Sequence, residues 1–518
     1  MGLLKSTAVV SAMTLLSRIF GLIRDMVFAW VFPVGGATDA FFIAFKLPNF
    51  LRRLFAEGAF SQAFVPVLAE YKVRGDRKAT VELVRRVAGT LALVLFALTV
   101  LVVVATPVFV MLVAWGYIGE PDKIDLTARL LRITFPYILF ISLTALAAGV
   151  LNTWGRFAVP AVTPVLLNLS LIGCALWLAP HLDEPVMALA WGVFIAGVVQ
   201  LGFQLPFVAR LGLLRWPRPD FRHPGVRRIG KLMLPGILGS SAMQINLLFD
   251  IVIASFLAEG SISWLYYSDR LMEFPLGVFG IALATVILPS LSEQHARTRP
   301  EDFSRMLDWG VRWVMIIGLP AAVGLGVLAG PLLATLFYRG AFTPQDVTMA
   351  GYSLFAYAFG LLGFMLVKVL VPGYFARQDT RTPVRISLVA MAANMVFNVL
   401  AVLALLAIDF PGPHMGLAIA TALSSFLNAL LLWRGLRREG VYRPGAGWGR
   451  LLLQVVLAGA GMGALLWWLA GDTASWLAAD TLTRIGRLAG VVAAGVVAYF
   501  ALLVLLGWRW RQFLRPRD

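Results

Sequence analysis

Apolar runs of about 20 residues recur along this chain from one end to the other, each long enough to cross a hydrocarbon core ~30 Å thick. Inside hydrocarbon every backbone N–H and C=O must be satisfied by the protein itself, so such runs fold as helices. Composition agrees. The 518 residues are 60% apolar and only 14% charged, where a soluble domain carries about 25% charged residues. That excludes a soluble enzyme with one anchor. The chain reads as an all-α, polytopic membrane protein.

Apolar stretches between charged or Gly/Pro-rich breaks predict fourteen transmembrane helices. They cover 6–33, 37–71, 83–114, 128–152, 157–179, 186–210, 229–258, 261–292, 305–337, 346–376, 382–408, 413–436, 449–470 and 483–508. The second is too long for one straight crossing, and a break is expected near Gly58. The connections alternate in charge. KVRGDRK (72–78), RLGLLRWPRPDFRHPGVRR (210–228), HARTR, RQDTR, RGLRREG and the tail WRWRQFLRPRD are basic, while GEPDKID and HLDE are not. The positive-inside rule then places both termini and every basic loop in the cytoplasm. Topology thus accounts for 44 Lys+Arg against 27 Asp+Glu without a nucleic-acid partner. The single cysteine, Cys174, lies in an apolar run, so neither a disulfide framework nor a thiolate metal site is expected. The N-terminal stretch lacks a small-residue cleavage site and reads as the first span, not a removable signal peptide.

The chain also repeats itself. A shift of 223–225 residues lays RDMVFAWVF on FDIVIASFL, AFKLPNF on SDRLMEF and AFSQAFVPVLAE on ALATVILPSLSE. It superposes Asp25 on Asp250, Lys46 on Arg270, Pro66 on Pro289 and Pro160 on Pro383. An even number of spans separates the copies, so both share one orientation. The expected organisation is a six-helix lobe over 1–212, a second over 213–438, and helices 13 and 14 with a basic tail over 439–518. Parallel repeats of this kind are a transporter architecture.

Charge within a span costs at least about 2.5–3.5 kcal/mol on insertion scales, which makes buried ionisable residues candidates for function. The first helix carries Arg18, Arg24 and Asp25, roughly 20–30 Å beyond Lys5 at the helical rise. A kink at Gly21 would turn both arginines toward one cavity. The second segment adds Asp39, Lys46, Asn49, Arg52, Arg53 and Glu57, the eighth Asp269, Arg270 and Glu273, and the tenth Lys368. Two readings stand. Arg/Asp and Arg/Glu pairs would hold helices together, with end residues snorkelling outward. Alternatively, the cations of helices 1, 2 and 8 converge, and guanidiniums grip phosphate oxygens bidentately. The second reading expects an anionic, phosphorylated substrate and disfavours a cation exporter. In the C-terminal half, Asp250, Asn394, Asn398 and Thr421 form a candidate Na⁺ site, or Asp250 accepts H⁺. Interhelical hydrogen bonding accounts for the same residues.

The blocks LLKSTAVVSAMTLLSRIFGLIRD, ATDAFFIAFKLPNFLRRLFAEGAFSQAFVPVLAEYK and SWLYYSDRLMEFPLGVFGIALATVILPSL, with LNTWGRFAVPA after helix 4, resemble the MurJ (MviN) family. These are lipid II flippases of peptidoglycan synthesis in the multidrug/oligosaccharidyl-lipid/polysaccharide exporter superfamily. The resemblance covers essentially the whole chain. It implies a multi-pass protein of the bacterial inner membrane, with two lobes and a central cationic cavity, and not an enzyme. Carried over by motif, the substrate-associated residues are Arg18, Arg24, Arg52 and Arg270, with Lys46 and Asn49 beside them. Asp25, Asp39, Glu57, Asp269 and Glu273 stand as ion-pair partners or gates. Lipid II and membrane lipids are the implied partners, together with proteins of cell-wall synthesis. No cofactor is implied, and Na⁺, H⁺ or membrane potential remain open as the energy source. A flippase for another polyprenyl-linked oligosaccharide, or an antiporter of the superfamily, is the alternative. A polyprenyl-phosphate transferase would need DxD or DDxxD, and neither occurs. In helix 13, Ala458, Gly461 and Gly463 are expected to leave a furrow for an isoprenoid chain, with Trp467 and Trp468 in the outer aromatic belt; close helix packing is the competing use of the same residues.

Overall fold

The computed structural model describes residues 3–53, 60–297 and 299–508, and every regular element among them is helical. The chain forms two compact units, Met1–Gly260 and Ser261–Asp518. The first holds α1 (Leu3–Val31), α2 (Gly36–Arg52), α3 (Ser61–Val73), α4 (Arg77–Val104), α5 (Thr106–Val113), α6 (Pro121–Thr134), α7 (Tyr137–Thr153), α8 (Ala158–Gly173), α9 (Met187–Arg210) and α10 (Pro224–Ala254). The second holds α11 (Ser261–Pro275), α12 (Ile281–Ala296), α13 (Pro300–Val327), α14 (Ala329–Leu336), α15 (Pro344–Phe375), α16 (Arg381–Ala407), α17 (Met415–Arg438), α18 (Trp448–Ala470), α19 (Thr473–Ala478) and α20 (Thr481–Leu505).

The expected repeat recurs in the helices. Starts at Arg77, Thr106, Pro121 and Ala158 are matched 223 residues later by Pro300, Ala329, Pro344 and Arg381. Even the interruptions correspond. The stretches 83–114 and 305–337, expected as single helices, each break near the C-terminal end, at Ala105 and Leu328. Pro107 and Pro331 follow closely, and a proline ring can neither donate to the preceding turn nor clear its carbonyl. Helix starts follow local chemistry. The Asp76 side chain accepts from Ala79 N, Asp480 accepts from Leu482 N and Thr483 N, and Thr343 with Asp346 closes a capping box.

Ten segments among the described residues are long and apolar enough to cross a membrane. The remaining expected crossings, 6–33, 37–71, 229–258 and 261–292, contain α1, α2 with α3, α10, and α11 with α12, and carry most of the charged side chains considered below. The expected break in 37–71 appears as the separation of α2 from α3; Gly58 and Glu57 lie outside the described residues.

In the first unit α1 packs on α8, α2 on α6, and α7 on α9. Phe64, Val67, Leu83, Val150 and Leu151 close a core between α3, α4 and α7. Helix α10, which the duplication assigns to the second lobe, packs here on α3 and α4. Arg228 grips Glu70 of α3, and Gly116 lies so close to α10 that a Cβ there would sit 2.2 Å from the Ser255 carbonyl. The first compact unit therefore runs through α10 to Gly260. Repeat spacing reports ancestry, whereas packing reports which neighbour a helix buries against.

In the second unit α15 runs along α17, and α18 packs on both α13 and α20. The small residues of α18 are where these helices touch. A Cβ at Gly459 would lie 2.7 Å from Leu319, one at Gly463 would lie 2.9 Å from Val323, and one at Gly461 would lie 2.7 Å from Leu502. Ala458 is fully buried. These residues bring backbones together and leave no furrow between α18 and the side chains they meet. Trp467 and Trp468 are exposed, as an interfacial belt requires.

Candidate functional site

Arg24 is a costly side chain to place, because a guanidinium within the largely apolar α1 has only 6% of its surface exposed. Its position follows from the packing of α1 against α8. Nε and Nη2 donate to Asp25 Oδ1 at 2.9 and 2.7 Å, and Nη1 donates to Asn168 Oδ1 at 3.1 Å. Asn168 Nδ2 in turn donates to the Ser17 carbonyl at 3.1 Å, and the Phe28 ring lies 5.6 Å from the guanidinium. One carboxylate and one neutral amide thus carry a buried cation. Asn168 was not among the expected residues. Its signal in the sequence is an amide in the apolar run TPVLLNLSLIG of α8. Arg18 is half-buried on the same helix. The expected kink at Gly21 does not interrupt α1, and a Cβ at Gly21 would meet Asn168 Nδ2 at an ordinary 3.8 Å.

The second group lies on α2. Pro48 inside this helix has no N–H for the Ala44 carbonyl one turn back. Thr134 of α6 supplies the missing donor, its hydroxyl 3.3 Å from Ala44 O. Below the proline, Arg52 Nε and Nη2 both donate to Asn49 Oδ1, at 2.9 and 2.7 Å. Lys46, Asn49 and Arg52 are half-buried and Arg53 is exposed. At the other end, Asp39 sits in the first turn of α2, where the helix dipole favours a carboxylate. It is buried, and its Oδ2 accepts from Gly260 N at 2.7 Å. Next to it, Lys123 Nζ lies 3.0 Å from Glu259 and 2.6 Å from Glu120. The Lys123 hydrogen bond holds the Glu259 carboxyl below the usual carboxylate range, and burial beside Asp39 pushes the Tyr117 hydroxyl up.

In the second unit, half-buried Arg270 donates to Glu273 at 3.1 Å, one turn along α11, with the Tyr266 ring 5.7 Å away. Asp269 is half-buried beside it, and Lys368 is exposed on α15. Asn394 and Asn398 are both buried on α16, where Asn398 Nδ2 donates to Asn394 Oδ1 at 3.0 Å. The Thr421 hydroxyl donates to the Leu417 carbonyl at 2.8 Å. Asn394 Oδ1 and the Thr421 hydroxyl are thus engaged on their own helices, and Asp250 belongs to the first compact unit. Among the described residues no group of three or more His, Cys, Asp or Glu could hold a metal.

Chemically, the geometry offers guanidiniums held by acceptors that a phosphate oxygen can replace. Asn49 and Asn168 are neutral, so exchanging them for an anion leaves no stranded charge.

The chain matches the family model described as lipid II flippase MurJ over residues 28–486. It is 51% identical to a probable lipid II flippase MurJ of Vibrio cholerae, covering 98% of this chain and 97% of that one. It is 41% identical to the lipid II flippase MurJ of Burkholderia cenocepacia, covering 99% of both. The fold is similar to a solved lipid II flippase MurJ in an inward closed conformation, with a TM-score of 0.80, 25% identity and 98% of this chain covered. It also shares the fold of an inward-facing multidrug resistance MATE family transporter, with a TM-score of 0.66 and 14% identity over 84% of this chain.

Proposed function

We infer the function from one premise: the chain belongs to the lipid II flippase MurJ family, whose members are membrane transporters and not bond-making enzymes. The chain moves lipid II from the cytoplasmic to the outer leaflet of the bacterial inner membrane, and so serves peptidoglycan synthesis. The observation that carries this reading is the buried Arg24, held by one carboxylate and one exchangeable amide. A cation kept at such cost suits a pyrophosphate that must cross hydrocarbon.

The mechanism follows. Fourteen crossings place both termini and the basic loops in the cytoplasm. Arg24, Arg52 and Arg270 capture the pyrophosphate in a central cavity, with Arg18, Lys46 and Asn49 lining its approach. The polyprenyl tail stays in lipid. The lobes rock, Asp25, Asp39, Glu57, Asp269 and Glu273 re-pair with the cations, and the headgroup leaves outward. Na⁺ or H⁺ at Asp250, Asn394, Asn398 and Thr421, or the membrane potential, resets the cycle. The test is depletion of the native flippase with this chain as the sole copy, while lipid II is tracked on each leaflet. Arg24→Ala, Arg52→Ala and Arg270→Ala should each abolish complementation at normal membrane levels, and Arg→Lys should rescue only partly. Normal growth of all three alanine variants would refute the assignment. Competition with another polyprenyl-linked oligosaccharide in the same vesicles separates the alternative substrate.

A further inference from the structure

Residues 211–223, between α9 and α10, are bound to the protein along their length. Arg218 N donates to the Arg85 carbonyl at 3.3 Å, Arg85 Nε donates to the Trp216 carbonyl at 3.1 Å, and Asp220 N donates to Thr90 Oγ1 at 3.0 Å. Gly89 permits this approach, since a Cβ there would lie 2.2 Å from the Arg218 carbonyl carbon. Laid on α4 in this way, the segment turns into α10 and leaves a cavity of about 480 Å³ lined by Arg222, Pro224, Arg227, Arg228, Lys231 and Leu232. That volume is in the ~300–1,000 Å³ range of small-molecule sites.

Four of the six lining residues are cations. Arg228 is engaged by Glu70 at 2.5 and 2.7 Å, and Arg227 Nε donates to the Phe221 carbonyl at 3.2 Å. Among the described residues the Arg222 guanidinium and the Lys231 ammonium have no hydrogen-bond or ion-pair partner. Topology requires basic residues in such a loop, but it does not require them to converge on a cavity. Leu232 of the lining is exposed, and exposed apolar side chains are near it in the chain: Leu214, Trp216 (85% exposed), Phe221 and Leu234. Aromatic and aliphatic side chains beside a basic cluster suit the headgroup level of a bilayer, where the rings sit among headgroups and the cations meet phosphates.

We propose that this cavity is a docking site for the phosphate of an anionic membrane lipid. The phosphate sits among Arg222, Arg227 and Lys231, and an acyl chain lies against Leu232 of α10. Because Arg228 clamps Glu70, an occupant also bears on the contact between α10 and α3.

The test is native mass spectrometry of the full chain, with phosphatidylglycerol or phosphatidylcholine as the added lipid. The wild-type chain should retain phosphatidylglycerol in preference to phosphatidylcholine. The combined variant Arg222→Gln, Arg227→Gln, Lys231→Gln should weaken phosphatidylglycerol binding on the order of 100-fold, about fivefold for each basic residue. Arg24→Ala, remote in the chain from this cavity, should leave the preference intact. The substituted side chains are exposed, so the fold is retained. Equal retention of the two lipids by the wild type, or unchanged phosphatidylglycerol binding in the triple variant, would overturn the site. Displacement of phosphatidylglycerol by millimolar inorganic phosphate would assign the cavity to free phosphate and overturn the lipid reading.

Discussion

Replacing Asn168 by aspartate should slow transport while leaving the fold standing. Asn168 Oδ1 accepts from Arg24 Nη1 at 3.1 Å, and the neutral amide makes that bond easy to exchange. The bond from the charged guanidinium to the amide is of the kind that contributes about 1.5–3 kcal/mol, and a carboxylate at position 168 adds charge–charge attraction that strengthens the grip by roughly 1–2 kcal/mol. If the guanidinium must leave this acceptor to hold pyrophosphate, the rate falls by about 5–30-fold. The substitution also removes the bond from Asn168 Nδ2 to the Ser17 carbonyl, worth about 0.6–1.7 kcal/mol in membrane proteins, and buries a second carboxylate on the guanidinium that Asp25 already holds, so it too costs stability. Asn168→Ala loses both bonds and should be less stable by about 2–4 kcal/mol, yet it frees Arg24. In vesicles carrying fluorescent lipid II, the alanine variant should flip faster than the aspartate variant despite a thermal midpoint below that of the wild type. The opposite order, with Asn168→Asp at the wild-type rate, would refute an exchange of Arg24 between Asn168 and substrate.

Asp308 accepts from Arg312, Tyr442 and Trp448, and so ties the 439–447 connection to α13; Asp308→Ala should cost about 3–5 kcal/mol and expose that connection to limited proteolysis, and an unchanged cleavage pattern would count against it. Gly463→Leu must displace Val323, so overpacking of about 1–3 kcal/mol should lower the thermal midpoint, with equal loss of transport for long- and short-chain lipid substrates. His414 is buried against Trp264 with Nε2 2.9 Å from the Met349 carbonyl, and burial lowers its pKa to about 4. Below its unfolded value of about 6.5 the unfolded chain binds the extra proton, so stability should fall from pH 6.5 to 4 by up to about 3 kcal/mol. His414→Gln should flatten that slope in thermal melts, and a slope identical to wild type would exclude His414 as its source.

The candidate cations were legible before their geometry. Arg24, Lys46, Arg52 and Arg270 declare themselves because charge in an apolar run has few explanations. Their partners do not. Asn168 lies 144 residues from Arg24, and nothing near Arg24 in the chain points to it. Asp39 stands in the sequence as an ion-pair partner or gate, and nothing near it in the chain points to the Gly260 N–H that its Oδ2 accepts, 221 residues away. The small residues of α18 had two uses of equal standing, and only the positions of Leu319, Val323 and Leu502 separate them.

By itself the sequence determined the solvent, the class and the period of this protein. Hydrocarbon leaves helix as the solution for each apolar run, and the duplication at 223–225 residues is written in the order of those runs. Tertiary structure decided what each helix rests against. That α10 buries on α3 and α4, and that α8 lends Asn168 to α1, depends on close packing between surfaces far apart in the chain. Helix formation is local, because its hydrogen bonds close within four residues. The choice of neighbour is not, because contacts of a few tenths of a kcal/mol must be summed over a whole face before one partner is preferred.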